Sequence, residues 1–95
     1  MISLSVKIRT MRALRGHTQT DLSHLTGIDQ RNITLYEKGG LSPRPETLDK
    51  LEAALDVRFN APEVDAAFAV LSSNAARADE VKVALAVLEG KNGRG

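Results

Sequence analysis

The side chains of this sequence that offer chemistry are hydrogen-bonding groups rather than catalytic ones. Gln30, Arg31 and Thr34 fall on one side of a predicted short helix, with Leu35 beside them. Catalysis needs a nucleophile with a base in reach, a perturbed acid pair or a metal ion. The chain has no cysteine, no glycine-rich phosphate loop and two histidines without metal-ligand spacing. We therefore expect a recognition surface with no catalytic residue, no metal and no cofactor.

Two short helices must position these side chains. Thr18 has the character of an N-cap, and Asp21 three residues later completes a capping box, so a helix begins here. Gly27 ends it, because glycine adopts the left-handed conformation that closes a helix. Asp29 is a second N-cap, and the helix it starts runs from about residue 30 to 38, where Gly39-Gly40 breaks it. Such a pair, joined by a tight glycine turn, presents the polar side of its second helix outward.

Further helices flank this pair and make the chain all-α. Apolar residues at spacings of three and four predict a first helix that ends near Gly16. Pro45 suits the first position of a fourth helix, and Pro62 that of a fifth. A last helix is expected over roughly residues 75–89. The sequence thus predicts five to six helices, with a core built mainly from Leu, Ile, Val and Ala.

Charge is divided unevenly along the 95 residues. Up to Arg44 there are seven Lys or Arg against three Asp or Glu, whereas from Pro45 onward there are six against nine. One half can approach a polyanion while the other faces solvent or a partner. Basic residues interrupt the apolar pattern of the first helix, unlike a signal peptide, and no apolar run approaches the ~20 residues of a membrane span. We expect a cytoplasmic, nucleoid-associated protein.

Three short motifs follow one another at a specific spacing: Thr18-Gln19, Gly27-Ile28 and Tyr36-Glu37-x-Gly39. The segment that they define resembles the helix-turn-helix of lambdoid phage repressors and Cro proteins, the XRE-like family. The similarity extends over about Ser5–Val57. The family commonly has alanine where this chain has Ser23, which is also small. The resemblance rests on Ile8-x-x-Met11-Arg12, Thr18-Gln19, Leu22, Leu25, Gly27-Ile28, Ile33, Tyr36-Glu37-x-Gly39, Pro43, Leu48, Leu51 and Ala54-Leu55-x-Val57.

The resemblance implies a lambda-repressor-like fold that binds double-stranded DNA, with the second helix of the motif in the major groove. Gln30 and Arg31 would then reach base edges, since glutamine pairs well with adenine and arginine with guanine. Thr34, one turn on, would touch a thymine methyl or a phosphate. Without the resemblance, the same three side chains are a solvated helix face.

The resemblance also implies contacts outside the base edges. Gln19 would bind a phosphate at the start of its helix. Lys38 and Arg44 would hold the DNA backbone at the flank. Arg12 and Glu37 match a family ion pair that belongs to the scaffold.

The last helix is more apolar than a terminal surface helix needs to be. Val81, Leu85 and Leu88 lie on one face with Ala84, and further valines widen it. A surface of this kind marks a partner, and a twofold dimer would bury it. The alternative is that this helix closes the core of its own chain.

We therefore expect a DNA-binding domain over residues 1–58, a helical dimerisation extension over 59–90 and a disordered tail over 91–95. The favoured function is a sequence-specific transcriptional regulator that binds an inverted-repeat operator as a homodimer. Two alternatives stay open: the antitoxin of a toxin–antitoxin pair, with a toxin as protein partner, and a protein-interaction module that keeps the fold without binding DNA.

Overall fold

A computed structural model describes residues 2–90, which fold into six α helices and no strand. The expected all-α class is confirmed. The chain divides into two compact units, one over Ser3–Val57 and the other from Arg58 onward. The tail predicted over residues 91–95 lies outside the described residues. The helices are α1 (Leu4–Leu14), α2 (Gln19–Thr26), α3 (Gln30–Lys38), α4 (Pro45–Leu55), α5 (Pro62–Leu71) and α6 (Ala78–Leu88).

Local signals in the sequence begin and end the two central helices. At the start of α2 the Thr18 hydroxyl accepts from the Asp21 amide at 3.0 Å, and the Asp21 carboxylate accepts from the Thr18 amide at 2.9 Å. This reciprocal pair is the predicted capping box. At the start of α3 the carboxylate of Asp29 accepts from the Arg31 amide at 2.8 Å. Gly27 and Gly39 end the helices with φ of 76° and 80°, a region that side chains with a Cβ seldom adopt.

The first unit packs its four helices around an aliphatic core. Helix α3 contacts both α1 and α2, and α4 contacts the same two helices. The spacing of Leu22 and Leu25 predicts that both point inward, and for Leu25 this prediction is wrong, because its side chain is 58% exposed. It lies about 60° around α2 from the buried Leu22, and so falls beyond the narrow face that this short helix buries. The side chains enclosed completely are Ile8, Met11, Leu22, Ile33, Leu51 and Leu55.

The second unit is a pair of helices, α5 and α6, in contact with each other. Helix α5 begins at Pro62, as predicted. Helix α6 begins at Ala78, three residues later than expected, because the Glu80 carboxylate accepts from the Arg77 amide at 2.9 Å and fixes the start there. The buried residues of the second unit include Phe59, Val64, Phe68, Ala84 and Leu88. No helix among residues 2–90 combines the length and the apolar character needed to cross a bilayer.

Candidate nucleic-acid interface

The connection between α2 and α3 is held by side chains as well as by its glycine. The Ser23 hydroxyl donates to the Ile28 carbonyl at 2.5 Å, so it links the middle of α2 to the far side of the turn. Thr26 donates to the Leu22 carbonyl at 2.7 Å and accepts from the Ile28 amide at 3.1 Å. The Gly27 amide donates to the Ser23 carbonyl. These bonds satisfy the polar backbone groups of the turn and fix the direction in which α3 leaves it.

Helix α3 has a buried side and an open side. Ile33, Tyr36 and Glu37 are buried. The opposite side consists of two rows with a spacing of four residues, which places members of a row on the same face. The first row is Gln30, Thr34 and Lys38, and the second is Arg31 and Leu35. All of these are exposed except Thr34, which is half-buried.

Three exposed positive charges on and beside α3 are unpaired. Arg31 and Lys38 lie on the open side of α3, and Arg44 is exposed at the N-cap of α4. Within residues 2–90 no acidic side chain forms an ion pair with any of the three. Asp29, the acid closest in sequence to Arg31, uses its carboxylate to cap α3. Unpaired exposed cations are the groups that bind phosphates and base edges.

The first residues of α2 are hydrogen-bonded to the open side of α3. The amide oxygen of Gln19 accepts from the Thr34 hydroxyl at 2.8 Å, and its amide nitrogen donates to Glu37 Oε1 at 3.1 Å. The Thr20 hydroxyl donates to the Gln30 amide oxygen at 3.2 Å. The Thr34 hydroxyl also lies 3.1 Å from the Gln30 carbonyl, so its single proton is shared between two acceptors. Three of the residues predicted to contact DNA, Gln19, Gln30 and Thr34, are therefore mutually oriented in the protein alone.

A mostly buried ion pair between Arg12 and Glu37 is connected to this network through Gln19. Arg12 Nε lies 2.7 Å from Glu37 Oε2, and a second nitrogen of the same guanidinium donates to Glu37 Oε1 at 3.0 Å. The third donates to the His17 carbonyl at 2.9 Å. Glu37 is only 4% exposed, and the hydrogen bonding that its carboxylate accepts from the guanidinium is the chief cause that raises the pKa of Arg12 above its ordinary value. The pair joins α1 to α3, and through Gln19 it reaches Thr34.

This geometry is that of two capped helices with a fixed turn and an open polar face on the second. The sequence model of the helix-turn-helix family matches residues 8–61, more than half of the chain. The chain belongs to the helix-turn-helix family of the Cro/C1, or XRE, type. It is accordingly a DNA-binding transcription regulator of a family that is generally non-enzymatic. Neither the curated proteins nor the solved structures contain a match.

The first unit has a further stabilising contact that the sequence did not predict. Arg15 donates to the carbonyls of Leu55 and Asp56 at 2.8 and 3.0 Å and so satisfies the C-terminal end of α4. Asp56 ends that helix in the left-handed region, with φ 52°. In the sequence, Arg9, Arg12 and Arg15 are evenly spaced, and Arg15 is the C-cap of α1. The resemblance assigns Arg12 to Glu37, but only the fold shows that Arg15 binds the end of α4.

The residues expected to form the dimer differ in accessibility. Leu88 is 1% exposed and is therefore enclosed by the chain itself, while Val81 and Leu85 are half-buried. The accessible apolar surface of α6 is centred instead on Val83, which is 61% exposed. It lines an open groove of about 390 Å³ between α5 and α6, with acidic residues at its edge. The lining comprises Glu63, Ala66, Ala67, Val70, Asp79, Glu80, Val83, Ala84 and Val87.

Proposed function

We propose that the protein is a sequence-specific transcriptional regulator that binds an inverted-repeat operator as a homodimer, with α3 in the major groove. The observation that carries the proposal is the open side of α3. It presents a glutamine and an unpaired arginine at the N-terminal end of a helix held by the family's motif. Base edges in the major groove are recognised by side chains of this kind in this position.

Three residues contact bases in this proposal. Arg31 binds a guanine through two parallel hydrogen bonds, which its exposed guanidinium is able to form. Gln30 binds an adenine, in exchange for the bond that its amide oxygen now accepts from Thr20. Thr34 offers its methyl group to a thymine or its hydroxyl to a phosphate. The bond to Gln19 restricts its rotamer, so less freedom is lost on binding.

Three residues hold the DNA backbone. Gln19 opens α2, where the amides of the first turn attract a phosphate, and its own amide nitrogen has a second proton beyond the one given to Glu37. Lys38 is the last residue of α3, and Arg44 precedes α4; both are exposed. These contacts set the position of the protein on the duplex without selecting sequence.

The dimer would form through α6. Val81 and Leu85 retain accessible surface, and the exposed Val83 adds to it. Leu88 contributes by fixing α6 in its own unit, since it is enclosed already. For a twofold dimer to bind an operator with inverted half-sites, its two α3 helices would have to lie about 34 Å apart, one turn of DNA.

A second candidate, the antitoxin of a toxin–antitoxin pair, is favoured by one observation. The groove between α5 and α6 has an apolar floor, an acidic edge and an exposed valine, and so it suits a partner protein. An antitoxin would bind its toxin through residues beyond Val57 and would still bind DNA through α3. A chain that served only as an interaction module would keep the groove and fail to bind operator DNA.

The test is a selection of genomic fragments by the purified protein at moderate salt, followed by measurement of affinity for the selected site and for random DNA. We expect Arg31→Ala to weaken operator binding by about 1–3 kcal/mol and to relax the preference at one base pair. Arg58→Ala is the matched control, an exposed arginine in the second unit. The proposal is wrong if Arg31→Ala distinguishes operator from random DNA as well as the parent protein does.

A further inference from the structure

One exposed side chain on the open side of α3 is unlike its neighbours. Leu35 is 37% exposed and follows Arg31 by one helical turn in the same row. The other members of the two rows are polar or charged. Leu35 Cδ2 lies 3.6 Å from the position that a Cβ on Gly40 would occupy, so one side of the leucine rests on the backbone of the turn after α3. Its other side is open to solvent.

The chemistry available to Leu35 in a DNA groove is narrow. It can neither donate nor accept a hydrogen bond, and it gains nothing from a phosphate. Among the groups on the major-groove edges of the bases, the C5-methyl group of thymine is the apolar one. A leucine held beside such a methyl group removes apolar surface from water on both sides, and each methyl group buried in this way is favourable.

The position of Arg31 limits where that thymine lies. Side chains four residues apart on a helix have Cβ atoms about 5–6 Å apart. Successive bases of a DNA strand are spaced by about 3.4 Å along the axis. The separation of Arg31 and Leu35 on α3 therefore corresponds to about two base steps. The two side chains can thus contact bases that are about two positions apart.

We propose that Leu35 is a specificity-determining residue that contacts a thymine methyl group, so that each half-site carries a thymine within about two base pairs of the guanine bound by Arg31. The proposal rests on the proposed function, because it requires α3 to lie in the major groove. It adds a base preference and its spacing to the assignment of Gln30, Arg31 and Thr34.

Deoxyuridine provides the test, since it lacks only the methyl group of thymine. In the selected operator each thymine is replaced singly by deoxyuridine, and affinity is measured for the parent protein and for Leu35→Ala. We expect one replacement per half-site to weaken binding by the parent about fourfold, the effect of one buried methyl group. The same replacement should leave binding by Leu35→Ala unchanged. A cytosine at that position, paired with guanine, should be bound better by the parent when it carries a 5-methyl group.

Two further variants make the result unambiguous. Leu25→Ala is the matched control, because Leu25 is an exposed leucine on α2, and it should keep the full sensitivity to deoxyuridine. Leu35→Met keeps an apolar side chain and should therefore keep part of the sensitivity to deoxyuridine. Circular dichroism establishes that each variant is folded.

The outcomes separate the two proposals. In one outcome, Arg31→Ala loses the preference for guanine, but each deoxyuridine replacement changes the operator affinity of the parent and of Leu35→Ala equally. The assignment of Leu35 is then overturned, while the proposed function stands. If Arg31→Ala also has no effect, α3 does not contact bases and both proposals fall.

Discussion

The amide oxygen of Gln19 accepts a hydrogen bond from the Thr34 hydroxyl at 2.8 Å, which joins the first residue of α2 to the middle of α3. The same glutamine donates to Glu37, which is paired with Arg12. One side chain thus connects the buried ion pair to the open side of α3. Gln19, Gln30 and Thr34, three of the side chains proposed to contact DNA, are thus positioned before any DNA arrives, which lowers the entropy lost on binding.

Replacing this glutamine should therefore affect both folding and binding. In Gln19→Ala, Thr34 loses an acceptor and Glu37 a donor, and we expect the free energy of unfolding to fall by about 1 kcal/mol, the worth of a typical hydrogen bond. Operator affinity should fall as well, since Thr34 keeps only its longer bond to the Gln30 carbonyl and a phosphate donor is lost. Denaturant titration and operator titration measure the two effects. His24→Ala is the control for an exposed position of α2; equal losses in both variants would contradict a special role for Gln19.

The ion pair itself should make a larger contribution to stability. Arg12→Ala leaves the carboxylate of Glu37, 4% exposed, without its guanidinium partner. Removing one member of a buried pair costs about 3 kcal/mol or more, because the remaining charge is desolvated and uncompensated. Denaturant unfolding of the free protein measures this directly.

The second unit supplies a matched comparison for the ion pair. Arg77 lies near Asp79 and Glu80 at 3.6 and 3.8 Å, and all three side chains are well exposed. Arg77→Ala should cost less than about 1 kcal/mol, as exposed pairs do. If Arg12→Ala is no more destabilising than Arg77→Ala, the pair between α1 and α3 is not a structural element of the fold.

Much of the first unit follows from its sequence because its signals are local. The capping box at Thr18 and Asp21, the glycine turn and the Asp29 cap each depend on residues within four positions of one another. Such patterns predict where helices begin and end without knowledge of the fold. The aliphatic periodicity of α1 and α4 then indicates which faces meet.

What the sequence did not predict depends on contacts between distant residues. Ser23 appears only as a small residue where the family commonly has alanine, yet its hydroxyl closes the turn at Ile28. Leu25 has helical spacing from Leu22 but lies beyond the buried face. The bond between Gln19 and Thr34 spans 15 positions, and no periodicity predicts the rotamers that bring the two together. The base contacts of Gln30, Arg31 and Thr34 stay predictions.

Acid should weaken the start of α2 in a defined direction. The hydrogen bonds from Thr18, first from its backbone amide, lower the pKa of Asp21 below its ordinary value. The folded pKa is therefore the lower one, so the stabilisation is complete above the ordinary aspartate pKa of about 3.9 and is lost as the pH falls through the folded pKa. Asp21→Asn should remove this part of the pH dependence, which is measured as the midpoint of thermal unfolding from neutral to acid pH.

The test for Asp21 compares two curves of the thermal unfolding midpoint against pH, one for the parent protein and one for the variant. The parent protein and Asp21→Asn should differ by a constant amount at neutral pH, and the two curves should converge in acid. Asp49→Asn, an exposed aspartate of α4, controls for the loss of one negative charge. Parallel curves for the parent and Asp21→Asn down to the most acid pH would show that the capping carboxylate does not titrate differently in the folded protein.

Salt dependence should separate a phosphate contact from a base contact. Lys38 is an exposed, unpaired cation at the end of α3, proposed to lie against the DNA backbone. Lys38→Ala should weaken operator and random DNA by similar factors, because phosphates carry no sequence information. The slope of log affinity against log salt should become shallower by about 1, since one fewer counterion is released. Lys82→Ala removes the same charge from the second unit and should leave the slope unchanged. A selective loss of operator binding in Lys38→Ala, with the slope intact, would instead assign Lys38 to the bases.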